Sequence, residues 1–190
     1  IVGSNIANIL LIGGIAAMIY PIRVQHGMAW KEIPMSLFAI LFLLLVANDF
    51  FIPKTSASII SRLDGIVLIG FFLVFLYYTF GLAKVEGQEK EDYKKHKLGL
   101  TLAYIIIGIT SLTIGGKWII DSVTTIGQQF GLSEALLGLT VVAVGTSLPE
   151  LATSAVAAFK KSADLAIGNI VGSNIFNIFW ILGLSAIIRP

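Results

Sequence analysis

A chain of 190 residues that is 56% hydrophobic and only 13% charged carries about half the charge of an ordinary soluble domain, so water is the wrong solvent for most of its side chains. Its net charge of +2 comes with lysines gathered in one loop, not lining a groove with interleaved aromatics, and gives nucleic-acid binding no support. The absence of cysteine removes disulfides, thiolate metal sites and cysteine nucleophiles together.

In chain order, six apolar runs approach the ~20 residues that a helix needs to cross a bilayer, which predicts an all-α, polytopic membrane protein in contact with lipid. The first covers residues 1–22. It lacks an initiating Met, a basic leader region and a small-residue cleavage site, so it reads as the interior of a longer protein. A polar link, 23–32, leads to the second run, 33–52; another, 53–62, leads to the third, 63–82. The segment 84–97 (KVEGQEKEDYKKHK) is long and strongly charged, a solvated linker. The fourth run, 98–123, contains Lys117 and Asp121 four residues apart, a spacing that predicts an ion pair on one helical face. After the link 124–131, the fifth run, 132–159, and the sixth, 165–188, are interrupted by Gly, Pro and polar residues. His26 and His96 fall in connecting loops and read as surface residues.

The linker divides the chain into residues 1–83, the end of a first membrane half with three spans, and 98–190, the start of a second half with three more. Segment 84–97 is expected to be a cytoplasmic loop. Positively charged short loops stay on the cytoplasmic side, and the loops alternate in charge. Arg23, Lys31, five lysines of 84–97, Lys160 and Lys161 fall on one side, nine in all, against Lys54, Arg62 and Arg189 on the other.

The chain also repeats itself. Residues 1–21 (IVGSNIANILLIGGIAAMIYP) and 170–190 (IVGSNIFNIFWILGLSAIIRP) agree at thirteen of twenty-one positions. One copy lies in the first span and the other in the sixth, so with spans alternating in direction the copies cross the membrane oppositely. Such inverted-topology repeats characterise secondary transporters that bind substrate near the midplane, between discontinuous helices. A channel or pump is also compatible with the repeat alone.

The stretch 138–154 (GLTVVAVGTSLPELATS) carries the chemistry. Pro149 cannot donate a helix hydrogen bond and Gly145 is permissive, so the helix is expected to loosen there. Freed carbonyls at membrane depth need protein, water or a bound cation. Glu150 is the one acidic residue in the middle of a span, where a charge costs about 2.5–3.5 kcal/mol on translocon scales. Thr146 and Ser147 precede it by four and three positions, so on a helix all three oxygens are expected to share a face and could ligate one hard cation. The competing reading is a protonated Glu in a helix–helix hydrogen bond. In 168–177 (GNIVGSNIFN), Ser173 and Asn177 are four apart, as are Ser4 and Asn8 in the first copy, and each pair offers two neutral oxygens on one face. For Asn5 and Asn174, packing or capping is as good a reading as ligation. An oxygen-only donor set suits Ca²⁺, Na⁺ or K⁺, and argues against zinc or copper.

Gly-Thr-Ser-Leu-Pro-Glu at 145–150, followed by Gly-Asn-Ile-Val-Gly-Ser-Asn-Ile at 168–175, resembles the second alpha-repeat of the sodium/calcium exchangers of the cation/Ca²⁺ exchanger superfamily. Residues 1–21 resemble the back half of the first alpha-repeat, and Ser-Arg-Leu-Asp-Gly at 61–65 is similar to prokaryotic members. The resemblance implies ten helices in two inverted halves, of which this chain would hold six. It implicates as ion ligands Glu150, Thr146, Ser147, Ser173 and Asn177, with Ser4, Asn8 and the backbone carbonyl of Ala143. Two departures stand out. The first-repeat counterpart of 145–150 is absent, so the expected partner is the N-terminal spans of a parent protein that would supply a second carboxylate. Position 177 is Asn where some members carry Asp.

The function implied is antiport of Na⁺ against Ca²⁺ by alternating access at the cell membrane, with the transported ions as cargo, no cofactor and no enzymatic chemistry. The alternatives are a cation/proton exchanger of the same superfamily and an ion channel. An intramembrane hydrolase using Ser147 or Ser173 is weak, since no histidine lies within a span.

Overall fold

The computed structural model describes residues 1–22, 30–47, 60–83 and 98–190. Among these residues the backbone forms helices and no strand. In chain order they are α1 (Val2–Ile19), α2 (Glu32–Ala47), α3 (Arg62–Ala83), α4 (Leu98–Gln129), α5 (Ala135–Thr146), α6 (Leu148–Phe159) and α7 (Ala163–Ile188). Four of them are long and apolar enough to cross a membrane, or five if α5 and α6 count as one bent span, and α2 is a shorter apolar helix. Each of the six apolar runs is thus helical over most of its described residues, with 48–52 of the second lying outside them, and the chain is a multi-pass integral membrane protein. The charged segment 84–97 and both histidines lie outside the described residues.

Local signals set several of the ends. At α3, the Ser61 backbone N–H donates to Asp64 Oδ2 at 2.8 Å, and the Ser61 hydroxyl donates to the same oxygen at 2.7 Å. The Asp64 N–H returns a bond to Ser61 Oγ at 3.3 Å. This is a reciprocal capping box with Asp in the usual Glu position, and it gives the Ser-Arg-Leu-Asp motif a structural purpose. In α2, Pro34 sits in the first turn, where its missing N–H has no helical partner to lose.

The sixth run is one continuous helix despite Gly168, Gly172 and its polar residues. Instead of breaking, it widens into a π-helical turn at Phe176–Leu182. The repeat-related stretch of α1, Ala7–Ile12, does the same. A π turn inserts a residue into the hydrogen-bond ladder and is common at functional sites. Its recurrence at aligned positions shows that the two copies share a backbone deformation as well as a sequence.

α7 is the hub of the bundle. Against α2 and α3 it buries Ile175, Ile178 and Phe179 with Ala39, Leu68 and Phe72. Phe71 stacks on Phe179 at 5.7 Å, and Phe38 meets Phe71 edge-on at 5.1 Å. Gly65 and Gly183 bring α3 and α7 nearly into backbone contact, since a Cβ on Gly65 would lie 2.7 Å from the Gly183 carbonyl oxygen. On its other side α7 meets α1 and α6 through the small residues Ala16, Ala157, Ala158 and Ala166. Small side chains let helices approach where lipid removes the hydrophobic drive to associate. Both clusters draw on residues before and after segment 84–97.

α4 lies at the periphery. Gly116 and Gly127 are its buried residues, and isoleucines such as Ile105, Ile106 and Ile107 point outward. A helix apolar on every face yet barely covered by protein is suited to lipid. Its 32 residues extend about 48 Å, well beyond a hydrocarbon core of roughly 30 Å. The expected Lys117–Asp121 ion pair does not form: both side chains are exposed on α4 and no bond joins them. Lys117 instead lines a cleft with Ile120, Gly145, Thr146 and Pro149, between α4 and the junction of α5 and α6. A spacing of four places two side chains on one helical face but does not by itself enforce their contact.

Candidate functional site

The break between α5 and α6 is built by Ser147 and Pro149. Ser147 leaves helical geometry (φ −94°, ψ 5°) and its N–H bonds the Val144 carbonyl at 3.0 Å, closing a tight final turn. α6 then restarts with Pro149 in its first turn, where a proline costs least. The two helices diverge by 43°. Glu150 therefore sits in the first turn of a new helix, where the partial positive charge of the helix N-terminus favours a carboxylate.

Gly145 has a different role from the one its flexibility suggests. It is helical and admits a neighbour: a Cβ there would collide with the Ile120 side chain of α4. The loosening resides at Ser147. Because the helix breaks at Ser147, the single helical face expected for Thr146, Ser147 and Glu150 is not formed.

The first repeat copy meets this break, and the second copy crosses the first. Ser4 Oγ and Thr146 Oγ1 share a hydrogen bond of 2.9 Å, and the Thr146 hydroxyl also reaches the Ala143 carbonyl at 3.0 Å. Ser147 Oγ lies 3.5 Å from the Ser4 carbonyl oxygen. The approach requires Gly3, since a Cβ there would meet the Leu139 carbonyl oxygen and come within 2.6 Å of Ala143 Cβ. Across the α1–α7 crossing, Asn8 Nδ2 donates to Ser173 Oγ at 2.9 Å and to Asn174 Oδ1 at 3.0 Å. Asn177 Nδ2 donates to Asn5 Oδ1 at 3.1 Å. The pairs 8–174 and 5–177 run in opposite senses along the two helices, so α1 and α7 are antiparallel. They also exchange under the sequence repeat, which matches Asn5 with Asn174 and Asn8 with Asn177, with the donor and acceptor roles kept. The inverted repeat is thus present as a local two-fold relation between side chains.

Of the eight residues expected as ligands, Ser4 and Thr146 are joined directly, Ala143 and Ser147 lie on the same contact, and Asn8 is joined to Ser173. Asn177 instead pairs with Asn5. At this site the oxygens Asn8 Oδ1 and Glu150 Oε2, and the nitrogen Asn174 Nδ2, are buried with no hydrogen-bond partner. Unpaired buried acceptors are costly in an apolar interior and mark sites that another group is to satisfy. Among the described residues no group of three or more His, Cys, Asp or Glu side chains is assembled. The available donors are therefore hydroxyls, amides, carbonyls and one carboxylate, which suit hard cations.

Sequence reading passed over Asn169. Its Nδ2 bonds the Glu150 carbonyl at 3.1 Å and Ser154 Oγ at 3.0 Å, tying α7 to the first turns of α6. Position 169 precedes the stretch aligned with residue 1, so the repeat gave it no partner to flag it.

Comparison with known proteins places this geometry in a wider group. The family model described as "Sodium/calcium exchanger protein" matches residues 1–81 and 100–190. The inner membrane protein YrbG of Escherichia coli is 36% identical over 99% of this chain, which covers 58% of that protein. The sodium/calcium exchanger MaX1 of Methanosarcina acetivorans is 29% identical over the whole chain, which covers 64% of its length. A solved structure of the sodium-calcium exchanger NCX_Mj, soaked with Na⁺ and Ca²⁺, superimposes with a TM-score of 0.73 at 30% identity, over 98% of this chain and 57% of the other. The chain thus spans about three-fifths of the relatives it matches.

Proposed function

Because the chain belongs to the sodium/calcium exchanger family, we propose that it forms the larger part of a cell-membrane antiporter that exchanges Na⁺ for Ca²⁺ by alternating access. The cation site is formed by the Glu150 carboxylate, the hydroxyls of Ser4, Thr146, Ser147 and Ser173, the amide oxygens of Asn8 and Asn177, and the Ala143 carbonyl. The observation that carries this reading is that the first repeat copy meets the helix break while the second copy crosses the first, with two buried oxygens of these residues, Asn8 Oδ1 and Glu150 Oε2, left without a protein partner.

The chemistry follows from the donors. Ca²⁺ takes 6–8 oxygens, and a protein must replace the water it strips away. Hydroxyl and amide oxygens supply geometry, while the carboxylate supplies charge. Na⁺ accepts the same hard oxygens, so the two ions can compete for one site and be carried in turn. Each must favour a state of the protein that delivers it to one side, since a ligand shifts an equilibrium only through differential affinity.

One carboxylate is too little charge for tight Ca²⁺ binding, and the surroundings of α7 support a missing partner. Gly3 is packed against α5, whereas its repeat equivalent, Gly172, has nothing within 4 Å of an added Cβ. A broken helix pair related to α5 and α6 by the local two-fold would occupy that space with its first half, bring a second carboxylate in its second, and belong to the N-terminal spans of the parent protein. Charge on the described and neighbouring loops orients residues 84–97 toward the cytoplasm.

The test is flux in proteoliposomes containing the full-length parent protein. Ca²⁺ entry driven by an outward Na⁺ gradient, and not by a pH gradient of equal size, is the expected result. Entry driven by the pH gradient alone overturns Na⁺ coupling in favour of proton exchange, and conduction without any counter-ion overturns antiport.

A further inference from the structure

Four buried or half-buried asparagines meet where α1 crosses α7, and they divide into two kinds. Asn8 and Asn177 donate through Nδ2; Asn174 and Asn5 accept through Oδ1. Asn8 is wholly buried, and Asn174 and Asn5 are 1% and 6% exposed. A primary amide has two N–H donors at one end and a two-lone-pair oxygen at the other. Both Asn8 donors are used, one by Asn174 Oδ1 and one by Ser173 Oγ, while Asn8 Oδ1 and Asn174 Nδ2 are buried without a partner. The amide is therefore held by its nitrogen, with its oxygen left for something else.

We propose that Asn174 and Asn5 are positioning residues: each pins the amide nitrogen of the repeat-related asparagine across the helix pair, so that Asn8 and Asn177 present oxygen, and not nitrogen, to the transported cation. This inference rests on the reading of Asn8 and Asn177 as ligands and goes beyond it in assigning the residues that orient them.

The reason for such a device is the near-symmetry of the amide. A half-turn about its last torsion exchanges O and NH₂ with almost no change in shape, so packing alone holds the two orientations poorly apart. Toward a cation the two differ in sign, because oxygen attracts it and the amide hydrogens repel it. In a membrane interior there is little water to anchor the nitrogen, and the acceptor must come from the protein. Groups that orient metal ligands in this way typically cost about 10–100-fold in affinity when removed. The local two-fold supplies one such acceptor to each copy, so a single sequence motif, Ser-Asn-Ile-x-Asn, encodes both the ligand and the group that aims its mate on the opposite helix.

The experiment uses the full-length protein and reads the Ca²⁺ KM and the maximal rate of Na⁺-driven uptake. Asn174→Ala is expected to raise KM about 10–100-fold with a smaller effect on maximal rate, and Asn174→Asp, which keeps an acceptor oxygen, to restore most of the loss. The decisive comparison is the same Asn174→Ala change in an Asn8→Asp background. A carboxylate has oxygen at both ends and nothing to misorient, so the penalty there should shrink to less than about threefold, a coupling that independent sites do not show. A merely structural Asn174 would cost the same in both backgrounds, and that result overturns the proposal. Asn8→Ala with unchanged KM overturns the ligand reading and this inference with it. A large loss in Asn8→Ala beside a wild-type KM in Asn174→Ala overturns this inference alone.

Discussion

Gly3→Ala adds one methyl group at the closest approach of α1 to the broken helix. The new Cβ would meet the Leu139 carbonyl oxygen and lie 2.6 Å from Ala143 Cβ. Neither obstacle is the end of a flexible side chain, so neither can swing aside. Restoring an ordinary contact of 3.4 Å or more requires α1 and α5 to separate by about 1 Å. That shift would lengthen the Ser4–Thr146 bond from 2.9 Å to the edge of hydrogen bonding and carry the Ser4 hydroxyl away from the other oxygens of the site. Overpacking of this kind costs about 1–3 kcal/mol in stability, and a displacement of about 1 Å at a functional site can cost 100-fold in rate. Gly14→Ala is the matched control, because it lies on the same helix with nothing within 4 Å of its added Cβ. In the full-length protein, Gly3→Ala should reduce Na⁺-driven Ca²⁺ uptake by at least tenfold (about 1.4 kcal/mol) and lower the thermal midpoint in detergent, while Gly14→Ala does neither. Adding Ala143→Gly to Gly3→Ala should recover part of the loss, since it removes one of the two obstacles. Wild-type uptake and midpoint in Gly3→Ala would refute the packing argument.

Glu150→Gln should abolish Ca²⁺ uptake without preventing membrane insertion, because removing the charge eases insertion while taking away the strongest oxygen ligand; wild-type flux in that variant removes Glu150 from the site. Ser61→Ala breaks the cap of α3 and should cost about 0.5–2 kcal/mol in stability, read as a lower thermal midpoint with an unchanged Ca²⁺ KM. In a background without cysteine, a membrane-impermeant thiol reagent on intact cells should label a cysteine replacing Gln128 and spare one replacing Lys90, and the reverse pattern overturns the orientation. Residues 1–190 alone in proteoliposomes should not support Na⁺/Ca²⁺ exchange, and co-expression of the N-terminal spans should restore it; robust exchange by the 190 residues alone means that the second carboxylate is unnecessary or is supplied by a second copy.

The sequence by itself determined the class of this protein, because the physics behind the class is local or statistical. Runs of apolar residues near the length of a bilayer can be satisfied only as helices in lipid, and among the described residues each run contains a helix. The self-match of 1–21 with 170–190 was visible without coordinates, as was the Pro149 and Glu150 pair that marks the broken span. What the tertiary structure decided were the relations between elements. A spacing of four residues placed Lys117 and Asp121 on one face, but Lys117 lines a cleft with Thr146 and Pro149, neighbours from other helices that no local pattern encodes. Gly145 read as a flexible point, whereas its purpose is to admit Ile120 from another helix, a contact no local pattern encodes. Asn5 and Asn174 were ambiguous for the same reason. Which end of an amide is anchored depends on the acceptor opposite it, and that acceptor lies some 170 positions away in the chain, brought near only when α1 and α7 cross.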